Sequence, residues 1–149
     1  MRTIADPAVL ADLTARLERL TSEQARVWGS ITSHQMAVHL ADTHEAVLQR
    51  RAFTIPPRRP SRVVKVIALN LPLPWPRGIR SGADPGSKEL APGTFEADRQ
   101  LVIATLVEVA GASAGALVTH HPIFGPMTRA NWHRWAFLHV DHHLRQFAL

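Results

Sequence analysis

Residues 120–149 read HHPIFGPMTRANWHRWAFLHVDHHLRQFAL. They set up a long helix at one end and place chemistry on it at the other. Thr128 suits an N-cap, because its hydroxyl can accept an N–H from the first turn that follows. Met127 before it and Trp132 after it occupy the two positions of a hydrophobic staple. Beyond the cap, Trp135, His139, Gln146 and either His142 or His143 recur at spacings of three and four, and so share one helical face. His139 and His143 are i, i+4. Their imidazoles can stand about 6 Å apart at the base and converge on one ion. His142, at i+3 from His139, is the competing assignment. Two ligands do not make a site, so the rest of the chain has to supply a third.

Working back from this stretch, residues 111–127 are turn-rich, with His121-Pro122 and Gly125-Pro126 fixing the direction. His120 and His121 are read there as packing or hydrogen-bonding loop residues. Before them, a helix opens at Thr94 with Glu96 and Asp98 in its first turn, where the macrodipole favours acids. It ends near Gly111. Phe95, Val102, Leu106 and Val109 mark its core face, and Glu96, Gln100 and Glu108 its solvent stripe. Further back, Thr32 with Gln35 spells a capping box and Ile31 with Met36 a staple, which predicts a helix over 33–50. Met36, His39, Leu40, Thr43 and Val47 lie along one side of it, so His39 sits among apolar neighbours. His34 and His44 fall at other angles and are expected to be exposed. The first helix, over 6–20, has Asp6 as N-cap, Pro7 at its first position and a stripe of Leu10, Leu13, Leu17 and Leu20.

Between the second and third of these helices, residues 52–93 form a connection rich in Pro, Gly and Arg. Residues 61–69 are apolar enough for a short helix, but the LPLPWP that follows cannot continue one. Such long connections inside a compact domain are uncommon. The length has a topological use here, since it lets the chain cross the bundle and enter the third helix parallel to the second. Charge is concentrated in the same region. From residue 50 to residue 80 there are eight basic residues and no acid, so this segment carries +8 of a net +5 and the remainder −3. Nucleic acid is one reading of that cluster. The only aromatics accompanying it are Phe53 and Trp75, and an Arg-rich solvated connection is the expectation.

A chain of 149 residues, 46% of them hydrophobic, is sized for one domain with one core, here taken as 1–149. It has no cysteine, so any metal must be held by histidine and carboxylate. No N-terminal run has the make-up of a signal peptide. The longest apolar run, 101–118, contains Glu108, Gly111 and Gly115 and reads as a buried helix with its exit rather than a membrane span. The expectation is a soluble, cytoplasmic protein with no membrane partner.

Four helices with a long second crossover make an all-α four-helix bundle. At 1.5 Å per residue, His39 lies about 10 Å from the start of the second helix. On the same rule His139 and His143 lie about 13 and 7 Å from the end of the fourth. With those two helices antiparallel, all three imidazoles share one level. That supplies the third ligand.

The segments WGSITSHQMAVHLADTH and HPIFGPMTRANWHRWAFLHVDHHLRQF resemble the DinB-like superfamily of metal-binding four-helix proteins. Within it they are most similar to a family of unknown function marked by W-G…Q-M…H-L and H-P-x-F-G…H-x-x-H-H-x-x-Q-F. The resemblance implies an up-down-down-up bundle, and its metal triad falls by position on His39, His139 and His143. It also implies, among other members, transfer or isomerisation reactions that use low-molecular-weight thiols. Three protein ligands leave an open position, as in catalytic sites, and suit Zn, Ni, Fe or Mn. Asp42 and Asp141 are candidates for orienting a ligand imidazole. The expected function is that of a metal-dependent enzyme acting on a small molecule, foremost a transferase using a small thiol. Small biological thiols usually carry carboxylates, and Arg58, Arg59 and Arg62 are the candidate contacts for them. The alternatives are a hydrolase working through metal-bound water, and a non-enzymatic, metal-braced bundle with a basic anion- or nucleic-acid-binding loop. Nucleic acid is not the expected partner, and homo-oligomerisation is left open.

Overall fold

Side-chain caps start most of the helices where the sequence placed them, the one after Thr94 excepted. In the computed structural model, which describes residues 1–55, 61–71, 74–77, 90–91 and 93–149, α1 spans Pro7–Glu18 and the Asp6 carboxylate accepts from the Ala8 N–H. Helix α2 spans Ser33–Val47 behind the reciprocal Thr32–Gln35 capping box. The short α3, Arg62–Asn70, begins at Ser61, whose hydroxyl accepts from Val64 N–H. Helix α4 spans Phe95–Gly111. Helix α5, Arg129–Gln146, starts behind a second capping box, in which the Asn131 side chain answers Thr128. Both staples close, with Ile31, Met36, Met127 and Trp132 all buried. A two-residue ribbon, β1 (His120–His121) against β2 (Gly125–Pro126), forms the turn before α5. The positive φ of Gly125 suits that tight reversal.

Helix α2 stops at Val47 rather than continuing to residue 50. Gln49 adopts φ 62°. The Arg50 N–H reaches back to Glu45 O at 2.9 Å and the Gln49 N–H to Ala46 O at 3.2 Å. This is the paired closure of a Schellman motif, with glutamine where glycine is usual. That is why the sequence shows no stop signal.

Contacts along the helices fix their directions. His34 pairs with Asp98, His44 with Thr105 and Arg50 with Glu108, so α2 and α4 run parallel. Ile4 N–H bonds His133 O and Arg16 bonds Asp141, so α1 and α5 run parallel. Val27, just before α2, bonds the carbonyl of Gln146 at the end of α5. Val47, at the end of α2, bonds Val118, whose carbonyl receives the Trp132 indole from the start of α5. Helices α2 and α5 are therefore antiparallel. The order is up-down-down-up, and the long connection makes the one crossover that a parallel α2–α4 pair demands.

The core runs between these four helices through Leu13, Leu17, Met36, Leu40, Val102, Leu106, Trp132 and Leu144, all fully or nearly fully buried. Burying each such side chain is worth about 1.5–3 kcal/mol. Helix α3 flanks this core, enters it only at its C-terminal end through Leu69, and is held by α5. The buried Arg134 guanidinium donates to the α3-terminal carbonyls of Leu69 and Leu71 and to that of Arg2, at 2.9, 3.1 and 2.7 Å. Among the described residues no helix is long and apolar enough to cross a membrane.

A burial expectation fails as well. His44 is completely buried, not exposed, with Nδ1 3.1 Å from Thr105 Oγ1. The parallel α4 covers the face of α2 that a two-sided helix would leave to solvent. His34 is half-buried for the same reason, 2.7 Å from Asp98.

Candidate metal centre

Three histidines meet where α2 faces α5. His39 comes from the second turn of α2, and His139 and His143 from the C-terminal half of α5. His39 Nε2 lies 3.1 Å from His139 Nε2. One ring nitrogen from each of the three residues falls within 4.8 Å of the others. Their ring centroids form a near-equilateral triangle with sides of 5.0, 4.9 and 4.8 Å. Two nitrogens bonded to one tetrahedral ion at about 2.0–2.1 Å stand about 3.4 Å apart. The set is able to hold a metal ion with little rearrangement. His139 and His143 are buried and His39 is half-buried.

The electrostatics keep the donors in the form a metal needs. Burial holds His139 well below the ordinary imidazole pKa, and the neighbouring rings, His143 first, push it further down. Burial and then His39 do the same to His143. A proton on either ring would be a desolvated charge, so both stay neutral near pH 7. Neutral imidazole is the metal-binding form.

His143 is also held from behind. Its Nδ1 lies 2.7 Å from Gln146 Oε1 in a buried contact. A carboxamide oxygen only accepts, so the neutral ring carries its proton on Nδ1 and turns its Nε2 lone pair the other way. The sequence reading put Gln146 on the histidine face and gave it no role; its i, i+3 spacing from His143 was the available signal. Asp141, one of the two carboxylates expected to orient a ligand, is instead engaged by Arg16 at 2.9 Å and Arg145 at 3.0 Å. Asp42 pairs with Arg51.

His142 stands apart from the triangle. Its ring meets the edge of Trp28 with centroids 4.9 Å apart, and it makes a backbone hydrogen bond with Trp75. The Trp75 ring lies 6.2 Å from His139 and 6.1 Å from His142, and its indole N–H donates to Ala68 O of α3. The Arg77 guanidinium sits 5.5 Å over the Trp28 ring. Trp28, Trp75 and Arg77 thus border the histidine face; the sequence puts Trp28 in the W-G motif and the other two in the basic connection, without a site role for any of them. Trp28 is set by the α1–α2 connection, and Trp75 and Arg77 by the path of the Pro-rich connection, and neither connection has a period to read.

Of the arginines expected to contact a substrate, Arg58 and Arg59 lie outside the described residues. Arg62 is exposed on the first turn of α3, at the end away from the Arg134 anchor. His121 has the packing role expected of it. It stacks on Phe124, its Nδ1 accepts from the Ile123 and Phe124 N–H groups, and burial lowers its pKa to about 4.

A family model described as the DinB superfamily matches residues 8–147. No curated protein and no solved structure matches the chain.

Proposed function

This chain belongs to the DinB superfamily, and from that premise we propose that it is a metal-dependent enzyme that transfers or conjugates a low-molecular-weight thiol. The observation that carries this reading is the convergence of His39, His139 and His143, with ligand atoms within 4.8 Å of one another. We take these three as the ligands and leave His142 outside. When bound, a divalent ion with three protein ligands supplies an open position at which a thiol is held as its thiolate.

The chain's own residues do the rest. His139 and His143 stay neutral because burial disfavours their protonated forms, so they do not compete for the proton that the thiol releases. Trp28 and Trp75 offer apolar walls beside the histidines, which exclude water from a reacting sulfur. Arg77, stacked over Trp28, supplies a cation for a carboxylate on the thiol. Arg62 is the second candidate for that contact, more distant in the fold.

The test supplies zinc, nickel, iron or manganese, a panel of cellular thiols and simple electrophiles, and follows thiol consumption. A metal-dependent rate with at least one anionic thiol is expected. Protein shown to hold its ion, yet giving no metal-dependent rate with any thiol, overturns the proposal. Ester or amide cleavage without thiol identifies a hydrolase instead.

A further inference from the structure

The α1–α2 connection reaches across to the last turn of α5 and closes on one side chain. The Val27 N–H donates to Gln146 O at 2.6 Å, and the Gln24 amide donates to Phe147 O at 3.1 Å. Two residues beyond the Val27 anchor Gly29 takes φ +88°, and a Cβ built there would stand 2.8 Å from Gln146 Nε2. Real Cβ atoms essentially never sit that close, so with a larger residue something must shift, and the end of the flexible Gln146 side chain is the part that yields most cheaply. The other end of the same carboxamide is the Oε1 that lies 2.7 Å from His143 Nδ1. Gln146 itself is only 7% exposed, so water does not substitute for it freely.

We propose that Gly29 and Gln146 form a two-part positioning device for the metal ligand His143. Gln146 fixes the Nδ1–H tautomer and the ring angle, and Gly29 keeps open the space in which the carboxamide can do so. The device lies outside the ligand set and acts only through His143. Orienting partners of this kind are typically worth about 10–100-fold in metal affinity.

Structure also provides the control. Gly93 has a similar φ of +77° with nothing among the described residues within 4 Å of its would-be Cβ. Gly93→Ala therefore carries the backbone strain of Gly29→Ala without the clash. The experiment measures two quantities on Gln146→Ala, Gln146→Glu, Gly29→Ala and Gly93→Ala. One is the His143 tautomer in ion-free protein, from ¹⁵N shifts of labelled histidine. The other is Zn(II) affinity, by chelator competition.

In the parent, His143 should be protonated at Nδ1. Gln146→Ala and Gly29→Ala should mix the tautomers and weaken zinc by about 10–100-fold. Gln146→Glu keeps an acceptor oxygen and should retain the Nδ1–H form, which guards against a trivial folding failure. Gly93→Ala should match the parent in both readouts. An unchanged tautomer and affinity in Gln146→Ala, or equal losses in Gly29→Ala and Gly93→Ala, overturns the proposal. The tautomer arm needs no metal, so its result is separable from failure of the metal reading itself.

Discussion

His39 and His44 lie five residues apart on α2, both turned towards packed helices, and only His39 joins a histidine cluster that could hold a metal ion. His39 meets the rings of His139 and His143 from α5. His44 meets the Thr105 hydroxyl of α4. Burial drives His44 down to about 3, and it drives the two α5 histidines well down as well. A lowered pKa therefore does not tell a ligand from a core histidine. What separates them is the partner. His44 has a neutral hydroxyl that satisfies its Nδ1, whereas His39 has two more nitrogens aimed at the same point. Neutrality is a condition for metal binding, and convergence is what makes a site.

The strongest way to break this distinction is to remove one imidazole at a time. His139→Ala or His143→Ala should lower Zn(II) affinity by at least about 100-fold, since each deletes a first ligand. His44→Leu and His142→Ala should stay within a few-fold of the parent in the same chelator competition. A His142→Ala variant that loses the ion while His143→Ala keeps it would reassign the α5 ligand.

The His44 side should answer to stability instead. Thr105→Val leaves His44 Nδ1 without its hydroxyl, and losing a buried partner costs about 1–3 kcal/mol. Urea denaturation should show that loss with zinc affinity unchanged. An affinity loss matching the stability loss would mean the two faces of α2 are not independent.

Acid sharpens the comparison further. His44 and His121 are held at about 3 and about 4, against an unfolded value of 6.5. Below pH 6.5 the unfolded chain takes up protons that these rings refuse, so stability falls as pH drops from 6.5 towards 3–4. Above 6.5 neither ring contributes a slope. Each ring adds up to about 1.4 kcal/mol per pH unit within that window. His44→Leu should flatten the dependence of unfolding free energy on pH between about 4 and 6 by one proton's worth. An identical slope in parent and variant would show that His44 titrates normally in the folded state.

The smallest effect is expected at the rim. Arg77→Gln should raise KM for carboxylate-bearing thiols several-fold with kcat little changed, as removal of an exposed ionic contact does. Arg62→Gln should leave both alone. Reversed outcomes would move the anion contact to α3.

These two faces of α2 also show what the sequence could reveal. The capping boxes, the staples and the i, i+4 pair in α5 are local patterns, so the four main helices and the level of His39 were readable from Thr32, Thr128 and the rise per residue. His44 was misread because its burial depends on which helix lies beside α2, and that is decided by the crossover rather than by any residue near His44. Gln49 hid the end of α2 by taking a glycine's conformation. Arg134 holds α3 through carbonyls, which leave no mark in a residue pattern. Gln146 was visible at the right spacing from His143, but the approach of Gly29 to its carboxamide comes from another part of the chain and leaves no local pattern.

The central claim is that one ion is held by His39, His139 and His143 together. X-ray absorption of the zinc-loaded protein, with metal stoichiometry measured on the same sample, tests it most directly. The account predicts one ion per chain with three imidazole nitrogens at about 2.0–2.1 Å and a lighter ligand completing the shell. It also predicts two imidazoles at most in His39→Ala. A parent that retains no zinc, or a spectrum with three imidazoles that survives His39→Ala unchanged, would contradict it.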